Sequence, residues 1–351
     1  MLRISTRALA ACSIAFLTAC SSAPSQNQAA ALPNAELHRS GVSRAAGWSN
    51  VYVISDPSNG PGNVSVYSDG TSRVLYQIQH GITYARSMVF DPTGNLYIYN
   101  AVTNCIIAFV ATKKKWLYTI NGGAETLGVP AVDSQGNLYV PHSQSNRVVV
   151  YAAGTKKVIR NIIHQLTEPR LLAFDSQDNL FVFNAGDSAI VKFAPGGKHP
   201  IQVIREGIDL PVAMAVDASG NLYVLNSGHG TSQGSVVVFA PDSTTPAATI
   251  TDGVYFPLSI AFDNTGNLFV LNSNDVTAYA PGTTTPYLTV TKGIAEPSAM
   301  AIDGANNLYV ANAKKGRFGV GSFTVYAPGS DKILRKVNRD VNEPSAIAIG
   351  P

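Results

Sequence analysis

Charge is scarce in this 351-residue chain: Asp, Glu, Lys and Arg make up 13 % of it, about half the usual share for a soluble domain. That excludes a coiled coil, which needs abundant Glu and Lys. The 25 basic and 22 acidic residues nearly cancel, so there is no electrostatic footprint for nucleic acid. Cysteine is almost missing, with three residues. The motifs of strong catalysis are missing too. There is no H-E-x-x-H, no G-x-S-x-G, no cysteine pair spaced for zinc, and no phosphate-cradling Gly loop that opens a helix. Apolar residues nonetheless reach 45 %, enough for a core, which argues against a disordered chain. The length fits two ordinary domains or one large all-β domain.

The N-terminus reads as an address. Arg3 and Arg7 precede an uncharged, mostly apolar run over residues 8–19. That run is short for a bilayer span, which takes about 20 residues, and fits the apolar region of a secretory signal. It ends in Leu17-Thr18-Ala19-Cys20 followed by Ser21, which resembles the lipobox of bacterial lipoproteins. The resemblance implies a signal peptide over residues 1–19 and lipidation of Cys20. Ser21 after the cysteine implies the outer membrane, facing the periplasm, where the organism has one. Residues 20–47, rich in Ser, Ala, Asn, Gln and Pro, are expected to be a lipidated flexible tether. Cleavage removes Cys12 and lipidation takes up Cys20. No intramolecular disulfide is then expected, and Cys105 reads as a buried small hydrophobe.

The remaining chain repeats itself. One phrase recurs six times, beginning at Asp91, Asp133, Asp175, Asp217, Asp263 and Asp303, as in Asp217-ASGNLYVLN. The spacings are 42, 42, 42, 46 and 40 residues. A short apolar run precedes each phrase and two β-rich runs follow it, which makes four strands per repeat, the size of one propeller blade. The phrase is a hairpin turn: Asp accepts backbone N–H groups, and Gly, or Asp178 and Asn306 in its place, takes the left-handed position. The ends supply the seventh blade. Residues 51–55, 63–68 and 73–79 match second, third and fourth strands, and residues 344–350 match the missing first strand. The fold expected over residues 48–351 is therefore an all-β, seven-bladed β-propeller whose C-terminal strand closes the N-terminal blade. Alternating small and large columns on the inner strands, such as Ala215 and Val216 or Ala261 and Phe262, predict blades that interdigitate.

Variation concentrates on the face that carries the second-to-third and fourth-to-first connections, where binding residues are expected. Seven residues before each phrase stand Tyr84, Thr126, Glu168, Leu210, Phe256, Glu296 and Glu343. Arg86 and Arg170 stand two positions further on, and Glu125, Asp209 and Tyr255 one position earlier. The second-to-third loops start at a polar column, Ser55, Asn100, His142, Asn184, Asn226, Asn272 and Asn312, whose amides are expected to close local turns. His142 breaks that column, and His229 lies in a longer loop; both are candidates for a general base or a metal ligand. The loop over residues 313–322 adds Lys314, Lys315, Arg317 and Phe318 as a possible contact surface. The candidate ligand-binding set is thus Tyr84, Arg86, His142, Glu168, Arg170, Asp209, His229, Tyr255, Glu296 and Glu343.

The phrase D-x-x-G-N-L-Y-V-x-N after an apolar strand and a Pro-containing loop resembles the NHL repeat and, more widely, propellers that include gluconolactonase-like enzymes. The N-R-[IV] signature of NHL third strands survives only as Asn146-Arg147-Val148. The gluconolactonase likeness implies acidic and Asn ligands for a divalent metal at the ring centre, a role that Glu168, Glu296 and Glu343 could imitate, although no metal motif of that family aligns with them. The reading that results is a monomeric, non-enzymatic, lipid-anchored propeller of the cell envelope. It binds an envelope protein or a small ligand and needs no cofactor. The alternative is a metal-dependent hydrolase or lyase with Ca²⁺ or Zn²⁺ at the propeller mouth.

Overall fold

The computed structural model describes residues 48–56, 61–228, 232–313 and 321–351. The signal and tether segments with Cys20, the candidate His229, and most of the 313–322 loop lie outside the described residues.

Seven four-stranded antiparallel sheets form the ring. Blade 1 contains Asn50–Ser55, Asn63–Tyr67 and Val74–Ile78, with Pro344–Gly350 as its inner strand. Blades 2 to 7 begin with inner strands Ala85–Phe90, Ala131–Val132, Pro169–Phe174, Pro211–Val216, Pro257–Phe262 and Pro297–Ile302. The closing strand pairs antiparallel with the first in continuous register from Asn50↔Gly350 to Ile54↔Ala346. The C-terminal carbonyl of Pro351 then accepts hydrogen bonds from Asn50 Nδ2 at 2.8 Å and Tyr52 Oη at 2.9 Å.

The repeated phrase folds as its chemistry requires. Asp91 Oδ1 accepts the N–H groups of Thr93 and Asn95, both at 2.9 Å, and Oδ2 accepts Asn95 Nδ2 at 2.7 Å. The same three bonds recur at Asp133, Asp175, Asp217, Asp263 and Asp303. The Asn after the Gly is therefore as much a part of the turn as the Asp. Gly94 and Gly220 both take φ of 86° there, while Asp178 and Asn306 take 63° and 65°. These two substitutes do more than tolerate the geometry. Asp178 Oδ1 accepts Ser134 N–H, and Asn306 Oδ1 accepts Asn264 N–H, each at 2.9 Å, so each ties its turn to the preceding blade.

The core lies between blades. Phe90, Phe174 and Phe262 stand edge-on against Tyr52, Tyr139 and Tyr223 of the preceding blades, with ring centroids 4.8, 4.9 and 4.8 Å apart. The small inner-strand column leaves room for these rings. At mid-height of the inner strands Met88, Leu172, Met214, Ile260, Met300 and Ile347 are all buried. Blade 3 is the irregular one. Its inner strand shrinks to two residues behind Pro130, and a Cβ on Gly128 would lie 2.7 Å from the Arg170 carbonyl.

Cys105 is fully buried, as expected of a small hydrophobe, but it is disulfide-bonded. That bond belongs to the full chain, whereas the expectation of no disulfide concerns the chain after cleavage and lipidation.

Candidate functional site

The column seven before the phrase is set chiefly by its backbone. Tyr84, Glu168, Leu210, Phe256, Glu296 and Glu343 all have positive φ, between 43° and 50°. The carbonyls of Tyr84, Glu168, Leu210 and Glu296 accept N–H from Ala101, Ala185, Ser227 and Ala313 at the ends of the second strands. Such φ values strain a non-glycine residue by roughly 1–3 kcal/mol. The side chains return little of that through burial: Tyr84 is 45 % exposed, Leu210 51 % and Phe256 55 %. The ring geometry fixes the backbone here and leaves the side chain open to choice, so this column varies.

The Asn column works differently from expectation. Asn226 Nδ2 donates to Gly207 O at 2.9 Å, and its Oδ1 accepts Asp209 N–H at 3.1 Å. Asn272 does the same with Gly253 O and Tyr255 N–H, and Asn312 with Gly293 O and Ala295 N–H. These amides do not close a local turn. They clamp the incoming fourth-to-first loop 17 to 19 residues earlier in the chain. The reason is burial: the strand end and the loop leave backbone groups that nothing else satisfies.

His142 replaces Asn and cannot make that clamp. Its Nδ1 lies 2.6 Å from Glu125 Oε2, and Glu125 also accepts from Ser145 Oγ at 2.9 Å and Arg147 Nη2 at 3.1 Å. With Glu125 ionised, Nδ1 carries the proton and Nε2 is a bare acceptor. Nε2 is buried with no hydrogen-bond partner. The clamp on this loop passes to Asn104, whose side chain bonds Glu125 O and Leu127 N–H. Burial pushes the His142 pKa down, against the pull of Glu125. Burial opposes the ionised Glu125, yet the His142 and Ser145 hydrogen bonds and the Arg147 charge hold its carboxyl below the ordinary range.

Both shifts act in the same direction on stability. A histidine with a depressed folded pKa contributes fully above its unfolded pKa, near 6.5, and that contribution is lost as pH falls through the folded value. His142→Asn restores the clamp residue and removes this titration. Thermal melts at pH 7.5 and 5.5 are expected to show a smaller drop in Tm for His142→Asn than for the native chain. An equal drop would remove His142 as the cause.

A second cluster joins blades 1 and 2. Asp56 Oδ1 accepts Tyr84 N–H at 3.0 Å, and Asp56 N–H donates to Glu343 O at 3.4 Å. Burial raises the Asp56 pKa, with the Tyr84 N–H and the Arg86 charge opposing it and Glu343 adding to it. Three predicted residues, Tyr84, Arg86 and Glu343, thus surround an aspartate that the repeat reading passed over. Its signal was available: the residue after the Asn column is Ala or Ser in every other blade, namely Ala101, Ser143, Ala185, Ser227, Ser273 and Ala313.

The remaining predicted residues are spread around the mouth. Arg170 pairs with Glu168 at 3.1 Å, exposed to solvent. Asp209 and Tyr255 are held by backbone bonds to the Asn clamps. Near Glu296, Ser298 Oγ donates to the inner strand of blade 1 at Pro344 O, 2.6 Å away. Among the described residues, no group of three or more His, Cys, Asp or Glu side chains is placed to hold a metal ion. Glu168, Glu296 and Glu343 are not brought together into one.

No family model matches this chain, and no curated protein matches it. Among solved structures, 1307 chains match, which makes the likeness one of architecture. One of them is Kuenenia stuttgartiensis hydrazine synthase, with a TM-score of 0.56 at 15 % identity over 75 % of this chain and 89 % of that one. At that identity the likeness carries the fold alone, and the chain stands as a seven-bladed β-propeller.

Proposed function

We propose that this chain is a lipid-anchored propeller of the cell envelope that binds a partner protein or ligand on its loop face. The observation that supports the reading best is the column of positive-φ residues. The ring dictates their backbone, burial does not select their side chains, and yet Tyr84, Leu210 and Phe256 present large apolar groups to water. Leu210 and Phe256 lie on successive loops of one face, and neighbouring exposed apolar groups mark interaction surfaces more often than they mark folding requirements. The fold itself is compatible with a binding or scaffold module. The anchor rests on the lipobox-like residues that end at Cys20.

The test places a photo-crosslinking residue at Tyr84 or Glu168 on the loop face and at Thr155 or Thr283 on the turn face, in cells. All four are solvent-facing, so folding is spared. A discrete crosslinked product from the loop face alone is expected; products from the turn face alone would overturn the choice of face. Cys20→Ala should abolish labelling by a fatty-acid probe. Cleavage before Cys20 removes Cys12, and a sulfur thioether-linked to lipid cannot also bond Cys105, so a mass showing Cys105 bonded to Cys20 in the mature chain would overturn the anchor.

A further inference from the structure

We propose that the exposed ridge of Leu210, Tyr255 and Phe256 is a docking surface for a cationic peptide segment with apolar side chains, supplied by another protein. This deepens the loop-face reading and rests on it. The three residues sit on two successive fourth-to-first loops, and the inner strands that follow them, Pro211–Val216 and Pro257–Phe262, pack against each other. Leu210 is 51 % exposed, Tyr255 48 % and Phe256 55 %. Leu210 has φ of 50° and Phe256 of 44°, so glycine would suit both positions better for folding. The chain instead keeps two bulky apolar residues where they are strained and wet, beside a third. That is the pattern of an anchor site, in which a few large side chains carry most of the binding.

The charge around the ridge names the partner. The two ridge loops and the second-to-third loop of blade 6 carry Glu206, Asp209, Asp252 and Asp275 against Arg205. Arg205 is taken up by Asp187 at 3.0 Å, outside these loops. Carboxylates therefore outnumber cations around an apolar centre. Such a surface repels phosphates and anionic lipid and attracts Lys or Arg, while the ridge takes the partner's aliphatic or aromatic groups. Charges on a solvent-exposed rim act over about one Debye length, so the electrostatic share should be sensitive to salt.

The probes are two fluorescein-labelled synthetic nonapeptides of equal apolar content, one alternating Lys with Leu and Phe, the other alternating Glu with the same residues. Anisotropy titrations use the full mature chain at low and high salt. The Lys peptide is expected to bind, with affinity falling as salt rises, and the Glu peptide to bind at least about tenfold more weakly. Leu210→Gly with Phe256→Gly keeps the positive-φ backbone, so Tm should be held or raised while affinity for the Lys peptide falls by about tenfold or more. Glu206→Gln with Asp252→Asn should flatten the salt dependence. Equal binding of the two peptides, or full affinity in the glycine variant at native Tm, would overturn the proposal. If neither peptide binds while loop-face crosslinks persist in cells, the peptide proposal falls and the broader reading stands. If the Lys peptide binds the ridge but no loop-face crosslink forms, the broader reading falls instead.

Discussion

A chain ending at residue 342 is expected to lose the cooperative melt of the full protein. The missing segment supplies the whole inner strand of blade 1, Pro344–Gly350, in which Ala346, Ile347 and Ile349 are buried. Emptying a core site of one Leu- or Ile-sized side chain costs about 2–5 kcal/mol. Two isoleucines with their strand hydrogen bonds therefore approach the entire stability of a typical domain, about 5–15 kcal/mol. The damage extends to neighbours. Ser345 Oγ donates to Ala85 O of blade 2 at 2.7 Å, and the Pro351 carbonyl holds Tyr52 and Asn50. The ring would open between blades 7 and 2, exposing sheet edges that invite association. Ile347→Ala provides the graded control: it should keep the fold with a lower Tm. A truncated chain that melts at the native temperature by calorimetry would refute closure by the C-terminal strand. Gly350 offers a finer probe, because a Cβ there would lie 2.6 Å from the Phe90 ring and 2.7 Å from the Tyr52 ring. Gly350→Ala should destabilise by overpacking, by about 1–3 kcal/mol.

The second large effect is expected at Lys192, a buried lysine in the third strand of blade 4. In blades 2 and 7 the tyrosine of the phrase donates to its aspartate, Tyr97 to Asp91 Oδ2 at 3.1 Å and Tyr309 to Asp303 Oδ2 at 3.0 Å. Blade 4 has Phe181 at that position and no hydroxyl. Lys192 Nζ reaches the same region: it lies 4.0 Å from Asp175 Oδ2, 2.7 Å from Asp242 Oδ1 and 5.2 Å from the Phe181 ring centroid. The equivalent residue is Val66, Val150, Val238 or Val325 in blades 1, 3, 5 and 7 and Ala108 or Ala278 in blades 2 and 6, so blade 4 alone places a lysine opposite its phrase aromatic. Lys192→Val alone leaves buried Asp175 without its cationic neighbour and should cost about 1–3 kcal/mol. Phe181→Tyr alone crowds the ammonium group. Lys192→Val with Phe181→Tyr recreates the Tyr309–Val325 arrangement of blade 7 and should recover most of the loss. Chemical denaturation of the four proteins gives the coupling directly. Additive losses would show that Lys192 does not replace the hydroxyl.

Much of the fold was legible because its determinants are local and repeated. Asp and Asn four residues apart close the same turn six times, and a period near 42 residues carries the strands along, so blade count, turn chemistry and closure by residues 344–350 follow from spacing alone. The exposed column and the breaks at His142, Arg86 and Arg170 were legible for the same reason, since a departure from a repeat is visible wherever the repeat is. What only the tertiary structure decided lies in contacts between loops and strands far apart in the chain. The residue before a proline is ordinarily pushed towards extended backbone at negative φ, and nothing in Glu168, Leu210 or Glu296 announces positive φ; the loop adopts it because its carbonyl must meet a strand end on the same blade. The Asn amides reach 17 to 19 residues back because the folded ring brings buried backbone groups there. Glu125 meets His142, Asp56 meets Arg86 and Glu343, and Lys192 reaches Asp175 and Asp242 only once neighbouring strands and loops are packed. Periodicity encodes what each blade does for itself. Which side chains share charge or hydrogen bonds across loops and between blades depends on distances that arise only when the ring closes.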